Sequence, residues 1–352
     1  MKKCIIIVNQ GDLGMRKNWL VICLFILILS INIYLVISIN KINNNLNNIE
    51  TYITNTNSNA PLRLNLLSSY GDNQAIHPKV ITFNKKWHGY KYYMAFSPYP
   101  YANSKYENPH IKASNDLINW EDVGSNPLDE VDNYDKGLRY NSDPHLVYNN
   151  DLDELECFWR YVDEKDKIFK IYLRRSKDGI HWTKKEEIFS GKRDKIDWLS
   201  PSIIYEDEIY KIWYVFNNKV WYVESSDLKD FSIVKEIKIE YEDGVKSWHI
   251  DVIHTLKGYE MLLVAFSDWN HHSQMNLYYT YSTDNINYDI AKVILKPTTG
   301  TNYWDNKGLY RSSFIYENNK YYVFYSGIGT NNARGIGLMT GKNIYNLKAV
   351  NY

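Results

Sequence analysis

Five short apolar hexads each open on a residue able to do chemistry: His77-Pro-Lys-Val-Ile-Thr82, Asp143-Pro-His-Leu-Val-Tyr148, Ser200-Pro-Ser-Ile-Ile-Tyr205, His249-Ile-Asp-Val-Ile-His254 and Arg311-Ser-Ser-Phe-Ile-Tyr316. Successive leaders lie 66, 57, 49 and 62 residues apart. Gathered at one place, they would supply a carboxylate, two imidazoles, a hydroxyl and a guanidinium, a set suited to moving protons and reading hydroxyl groups. Further acids stand nearby: Glu107 ahead of Asn-Pro, Asp197 ahead of Ser200, and Asp251 inside the fourth hexad. Cleaving a glycosidic bond takes two carboxyl groups across it, one protonated and one ionised. Asp143 therefore leads as the catalytic candidate, with Glu107, Asp251 and Asp197 as partners and His77 as a further acid/base group. Ser200, Trp248, His249, Trp269, Arg160, Arg311 and Trp198 are expected to hold substrate, the indole faces against sugar rings and the polar groups on hydroxyls. His77, His249, His271 and His272 match no common ligand spacing, so neither a metal nor another cofactor is expected. Structural roles compete for several of these residues: Asp143-Pro144 can shape a turn, Asp251 can pair internally, and Arg160 and Arg311 can form buried ion pairs.

The elements that must bring these residues together repeat with them. Each hexad runs into a polar turn, such as Asn149-Asn-Asp-Leu-Asp153 or Glu317-Asn-Asn319, and then a second apolar run, such as Tyr210-Lys-Ile-Trp-Tyr-Val-Phe216. Two such runs about a turn read as a β-hairpin. A third element ends in Ser-x-Asp-x-x-x-aromatic, at Ser114/Asp116/Trp120, Ser176/Asp178/Trp182, Ser225/Asp227/Phe231 and Ser282/Asp284/Tyr288. Ser and Asp at these positions hydrogen-bond their own backbone in a tight turn. Five units of three or four strands predict an all-β, five-bladed propeller, because small sheets bury both faces only when arranged radially. First strands line the axis, so the five leaders should ring one mouth. Pro61-Leu-Arg-Leu-Asn-Leu-Leu67 is expected to supply an outer strand to the last blade and so tie the ring shut, a part Leu347-Lys-Ala-Val350 could also play.

Composition agrees with this. Among 352 residues there are 32 Tyr and 11 Trp but only 9 Pro, which favours strands. With 41 basic and 41 acidic side chains the formal charge is zero, which gives no electrostatic basis for binding nucleic acid. Only Cys157 lies beyond the first thirty residues, so no disulfide framework is expected. Residues 18–40 carry no charge and are long enough for a single transmembrane helix. Lys2, Lys3, Arg16 and Lys17 precede it, placing residues 1–17 in the cytoplasm and the rest outside the cell membrane. Residues 41–60, rich in Asn and Thr, read as a polar stalk, and 61–352 as the propeller.

The five-fold pattern, with Asp143-Pro144 opening the second unit and Ser-x-Asp-x-x-x-Trp closing the first two, resembles the propeller glycosidases of glycoside hydrolase families 43, 32, 62, 68, 117 and 130. The resemblance spans about residues 70–345. It implies three acids: a base opening blade 1, a tuning Asp opening blade 2, and an acidic Glu leading into blade 3. Asp143 fills the second place, whereas His77 occupies the first and Asp197-Trp-Leu-Ser-Pro201 the third. Either the pair has moved to Glu107, Asp197 or Asp251, or His77 serves as acid/base as in family 117, or hydrolysis is lost. The expected protein is thus a membrane-anchored extracellular glycoside hydrolase acting on an oligosaccharide or surface polysaccharide. The alternative is a catalytically degenerate glycan-binding propeller.

Overall fold

The computed structural model describes residues 27–39, 61–131, 138–300 and 303–350. Five four-stranded antiparallel sheets follow one another along the chain. Blade 1 holds β1 (Ala75–Trp87), β2 (Tyr90–Pro98), β3 (His110–Ser114) and β4 (Glu121–Asp122), and blade 2 holds β5 (Arg139–Asn149), β6 (Glu154–Asp163), β7 (Ile168–Ser176) and β8 (Glu186–Lys192). Blade 3 comprises β9 (Leu199–Glu206), β10 (Ile209–Phe216), β11 (Lys219–Ser225) and β12 (Lys235–Ile237). Blade 4 comprises β13 (Lys246–Thr255), β14 (Gly258–Phe266), β15 (Asn276–Ser282) and β16 (Lys292–Leu295). Blade 5 is β17 (Gly308–Glu317), β18 (Lys320–Ile328), β19 (Arg334–Gly341) and β20 (Lys348–Ala349). The hexads lie on β1, β5, β9, β13 and β17, which pack on one another around the axis, β17 returning to β1.

No blade has a core of its own. Five apolar clusters fill the wedges between neighbours, such as Leu155, Cys157 and Trp159 of blade 2 against Tyr93, Ala95 and Ile111 of blade 1. Each sheet therefore buries both faces, which is why a second-strand run such as Met261-Leu-Leu-Val-Ala-Phe266 is continuously apolar rather than alternating. Cys157, buried here, is packing.

The four Ser-x-Asp turns form as expected. In blade 1 Ser114 Oγ accepts from the Leu117 amide, while Asp116 Oδ1 accepts from the amides of Ile118 and Asn119. Asp178, Asp227 and Asp284 repeat that pair of bonds in blades 2, 3 and 4.

Residues 61–66 close the ring. The Leu64 amide donates to Ile336 O on β19 at 2.8 Å, Arg63 bridges to Gly337, and the Trp304 indole donates to Pro61 O. A Cβ on Gly335 would stand 2.6 Å from the Arg63 side chain, so glycine there admits the closing strand. The outer strand of blade 5 is β20, from the C-terminal segment that was the alternative for that place, while 61–67 does not form it and meets β19 through an isolated bridge at Arg63.

Residues 27–39 are helical with exposed apolar side chains. Among the described residues no helix is long and apolar enough to cross a membrane. The rest of the span expected over 18–40, and the segments expected at 1–17 and 41–60, lie outside the described residues.

Candidate active site

Every inner strand carries one extra residue at or just ahead of its hexad leader. Between Ile76 and Lys79 in blade 1, Ser142 and His145 in blade 2, and Tyr310 and Ser313 in blade 5, three steps on the inner strand oppose two on its neighbour. Blade 3 shows the same shift between Leu199 and Ser202, and in blade 4 the extra residue is Trp248, just ahead of His249. Such bulges turn a side chain away from the sheet normal and recur beside active sites. In blades 1 to 3 the bulged residue is left-handed, with φ of 56° at His77, 52° at Asp143 and 53° at Ser200. Each precedes a proline, where the backbone ordinarily prefers extended geometry, so each stores strain on the order of 1–3 kcal/mol.

At the axis this brings His77, Asp143 and His249 together. One ligating atom from each lies within 4.8 Å of the others, and all three side chains are buried. Asp143 Oδ1 is 3.7 Å from His77 Nε2 and 3.5 Å from His249 Nδ1. Among the described residues, neither His249 ring nitrogen, nor His77 Nε2, has a hydrogen-bond partner. Leaving three polar nitrogens unsatisfied in a buried site costs about 1–3 kcal/mol each. Burial pushes both imidazoles below their ordinary pKa, against the pull of the Asp143 charge, and so favours neutral rings. Burial would raise the Asp143 carboxyl, but the His77 and His249 imidazoles beside it, and then the Arg311 guanidinium, hold it well below the usual carboxylate range.

Two histidines and a carboxylate are a common ligand set for Zn²⁺ and for divalent iron or manganese. Ligand atoms about 2.1 Å from a tetrahedral ion stand about 3.4 Å apart, close to the spacings here. The orphaned nitrogens and the ionised carboxylate thus suit a divalent cation. Spacing along the chain gave no such signal, because the three ligands come from blades 1, 2 and 4.

Glu107 ends the loop into β3 and lines the same pocket. Its carbonyl accepts from the Asn141 amide at 3.0 Å, fixing it against the strand that bears Asp143. Burial, and then the Asp143 charge, push its carboxyl well above the usual range. The pocket occupies about 470 Å³, within the range of about 300–1,000 Å³ typical of small-molecule sites. Its walls include Tyr99, Tyr140, Tyr310, Trp248 and Trp269. Tyr310 stacks on His77 and meets His249 edge-on, while Trp248 stands perpendicular to Trp269.

The other expected site residues divide. Arg160 lines the pocket but is held by Asp197, with Nε at 2.8 Å and Nη2 at 2.5 Å. Asp197 also accepts from Arg193 Nε at 2.9 Å, which makes it part of the wall and half of an ion-pair network. Arg311 lies beneath the pocket floor, bonding Asp143 Oδ1 at 3.3 Å, His145 Nδ1 at 3.1 Å and Pro201 O at 2.9 Å. Asp251 is deeper still, where Lys79 Nζ donates to it at 2.7 Å and the Phe314 amide at 3.3 Å. Ser200 does not face the pocket: its hydroxyl straps blade 3 to blade 4 at Ile250. Trp198 is packed between Phe189 and Tyr214. Facing the axis does not by itself put a residue at its mouth: Asp251 stands two residues further along β13 than His249. Tyr140, Ser142, Arg193, Asn217 and Asn218 also line the pocket without having been expected. Tyr140 and Ser142 sit just ahead of Asp143, and Arg193 four residues before Asp197, so proximity to an expected residue was their one signal.

No family model matches the chain. It is 27% identical over 310 residues to the A type blood N-acetyl-alpha-D-galactosamine deacetylase of Flavonifractor plautii, covering 71% of this chain and 39% of that protein. The chain thus spans about two fifths of the length of this curated relative. The crystal structure of an N-acetylgalactosamine deacetylase from F. plautii, in complex with blood group B trisaccharide, superposes with a TM-score of 0.71 at 23% identity, covering 80% of this chain and 94% of that one. An exo-1,5-alpha-L-arabinanase from a bovine ruminal metagenomic library superposes at 0.56 and 14% identity, covering 76% and 94%. A thermostable family-43 glycoside hydrolase superposes at 0.59 and 14%, covering 83% and 96%. The chain is a five-bladed β-propeller with structural neighbours among the glycoside hydrolases and a sugar deacetylase.

Proposed function

We propose that this protein is a metal-dependent hydrolase that removes the N-acyl group of an amino sugar in a glycan. The observation that carries this is the His77–Asp143–His249 cluster, whose unsatisfied nitrogens suit a cation and have no purpose in a two-carboxylate glycosidase. Likeness to the F. plautii deacetylase supports the choice of an amide over a glycosidic bond. A divalent cation held by the three ligands would supply Lewis acidity at the acyl oxygen and lower the pKa of bound water. Glu107 then has a defined task. With the Asp143 charge compensated, part of what holds Glu107 protonated is removed. Its carboxylate can take a proton from the attacking water. Water oxygen bonds to the acyl carbon, the C–N bond breaks, and Glu107 returns the proton to the departing amine. Acetate and the free amino sugar are the products. Tyr310, Trp248 and Tyr99 offer faces against which the ring can be held, at angles the substrate must match.

One observation favours glycoside hydrolysis as a second reading: burial and the Asp143 charge push the Glu107 carboxyl toward its protonated form, while its neighbours push Asp143 toward its ionised form, the division of labour that a glycosidase acid and base require. On the sequence evidence of 18–40, we also propose a membrane anchor with the propeller outside the cell.

The test is to strip the purified full-length protein with a chelator, restore single divalent metals, and assay N-acetylhexosaminides with aryl leaving groups. Acetate release that follows the metal and vanishes in His249→Phe supports deacetylation. Release of the aryl alcohol without acetate, indifferent to chelation, would establish the glycosidase instead.

A further inference from the structure

The wall of the pocket is uneven. Connections between second and third strands rise beside the mouth, and they span residues 99–109 in blade 1, 164–167 in blade 2, 217–218 in blade 3, 267–275 in blade 4 and 329–333 in blade 5. Blade 3 has the shortest of these connections. Strand β10 turns back at Asn217 and Asn218, two residues beyond the Val215–Leu199 pair. Both asparagines are left-handed, at φ of 51° and 60°, as the tightest hairpin turn demands. The pocket continues over this dip, for Val215, Phe216, Asn217 and Asn218 all line it.

Blade 4 supplies the flank of the dip. Its nine-residue loop carries Trp269, which lines the pocket yet stays 60% exposed. An indole so exposed gains little from folding, and its contacts to Trp248 and Phe266 leave most of the ring open. Asn218 Nδ2 donates to Ser247 O at 3.2 Å, which ties the dip to the strand bearing Trp248 and His249. Across the dip Arg193 is fixed by Asp197 and Glu164.

We infer that the low rim of blade 3 is a second saccharide subsite, through which the glycan leaves the pocket. The acylated sugar sits at the metal cluster, and the next sugar crosses Asn217 and Asn218 with one face on Trp269. The subsite rests on the deacetylase reading for what occupies the first position. It adds that the substrate is an oligosaccharide continuing beyond the acylated residue. Stacking is the natural task of an open indole beside a sugar pocket, and paired turn amides can read ring hydroxyls.

The test compares the methyl glycoside of N-acetylgalactosamine with a trisaccharide bearing the same sugar at its non-reducing end. Binding to the metal-loaded full chain is read by calorimetry, and turnover separately by acetate release. Wild type should prefer the trisaccharide. Trp269→Ala should shrink that preference about tenfold, or ~1.4 kcal/mol, and Trp269→Tyr should restore it. Inserting six Gly/Ser residues between Asn217 and Asn218, to raise the rim, should also shrink it. Equal binding of both glycosides, no binding of either, or a preference untouched by Trp269→Ala and by the insertion, overturns the subsite. Trisaccharide binding that depends on Trp269 without acetate release keeps the subsite and removes the deacetylase reading. Acetate release at equal efficiency from both glycosides does the reverse.

Discussion

Asp143 and Asp251 are two buried aspartates on inner strands of the same propeller, and they are satisfied in opposite ways. Asp251 is fully partnered: Lys79 takes one oxygen at 2.7 Å, shared with Ser202, and the Phe314 amide takes the other. Asp143 bonds Ser142 and Arg311, yet faces two histidines whose nitrogens hang unpaired at 3.5 and 3.7 Å. The first is how a fold disposes of a buried charge. The second leaves free energy unclaimed until something binds. Backbone strain follows the same division, since Asp143 is left-handed and Asp251 is not among the left-handed residues.

The contrast is broken most severely at the histidines. His249→Phe keeps a ring and deletes both orphaned nitrogens. Acetate release should fall on the order of 10³-fold or more, while the thermal midpoint of the metal-free protein should not fall. A parallel loss of stability would place His249 with Asp251 as a structural group.

Glu107→Gln should lower turnover by roughly 10²–10⁴-fold and flatten the acidic limb of the pH–rate profile. The same substitution sharpens the electrostatics. Glu107's folded pKa is raised, so the stability it contributes is present below its unfolded pKa and lost as pH rises through the folded one. Metal-free wild type should therefore weaken as pH rises from acid through that raised value, and Glu107→Gln should weaken less. Asp143 has the opposite sign: its folded pKa is depressed, so its contribution is present above the unfolded value and lost as pH falls through the folded one. Denaturant titrations of both proteins across pH would show the two windows.

At Asp251 the effect should be on stability alone. Asp251→Ala strands the buried Lys79 ammonium and should cost about 3–5 kcal/mol, measured by denaturant unfolding. The double replacement Lys79→Met with Asp251→Leu should recover most of that. The smallest effect belongs to the surface turns. Ser282→Ala removes a hydroxyl bonded to Asp284 at 2.9 Å and should cost about 0.5–1.5 kcal/mol, with no change in the metal requirement of turnover.

Much of the fold was legible because it rests on local chemistry repeated five times. The Ser-x-Asp turns close within their own few residues, and the paired apolar runs at each hexad are neighbours along the chain. The site was legible in direction only. Asp143, His77, His249, Glu107, Trp248 and Trp269 were expected at one mouth and line one pocket. Ser200, Arg311 and Asp251 were expected there too, but they lie in the channel below or between blades. What each of them meets depends on which neighbouring blade offers a hydroxyl, an amide or an ammonium.

The sequence by itself determined that five small sheets would form and that polar residues would face their common axis, because turns and strand periodicity are set by residues near one another in the chain. Which of those polar residues would meet a partner, and which would be left with open nitrogens around a shared carboxylate, was decided only by tertiary structure. Ligand geometry is a matter of angstroms between blades, and residues 66 or 106 positions apart carry no local record of that distance.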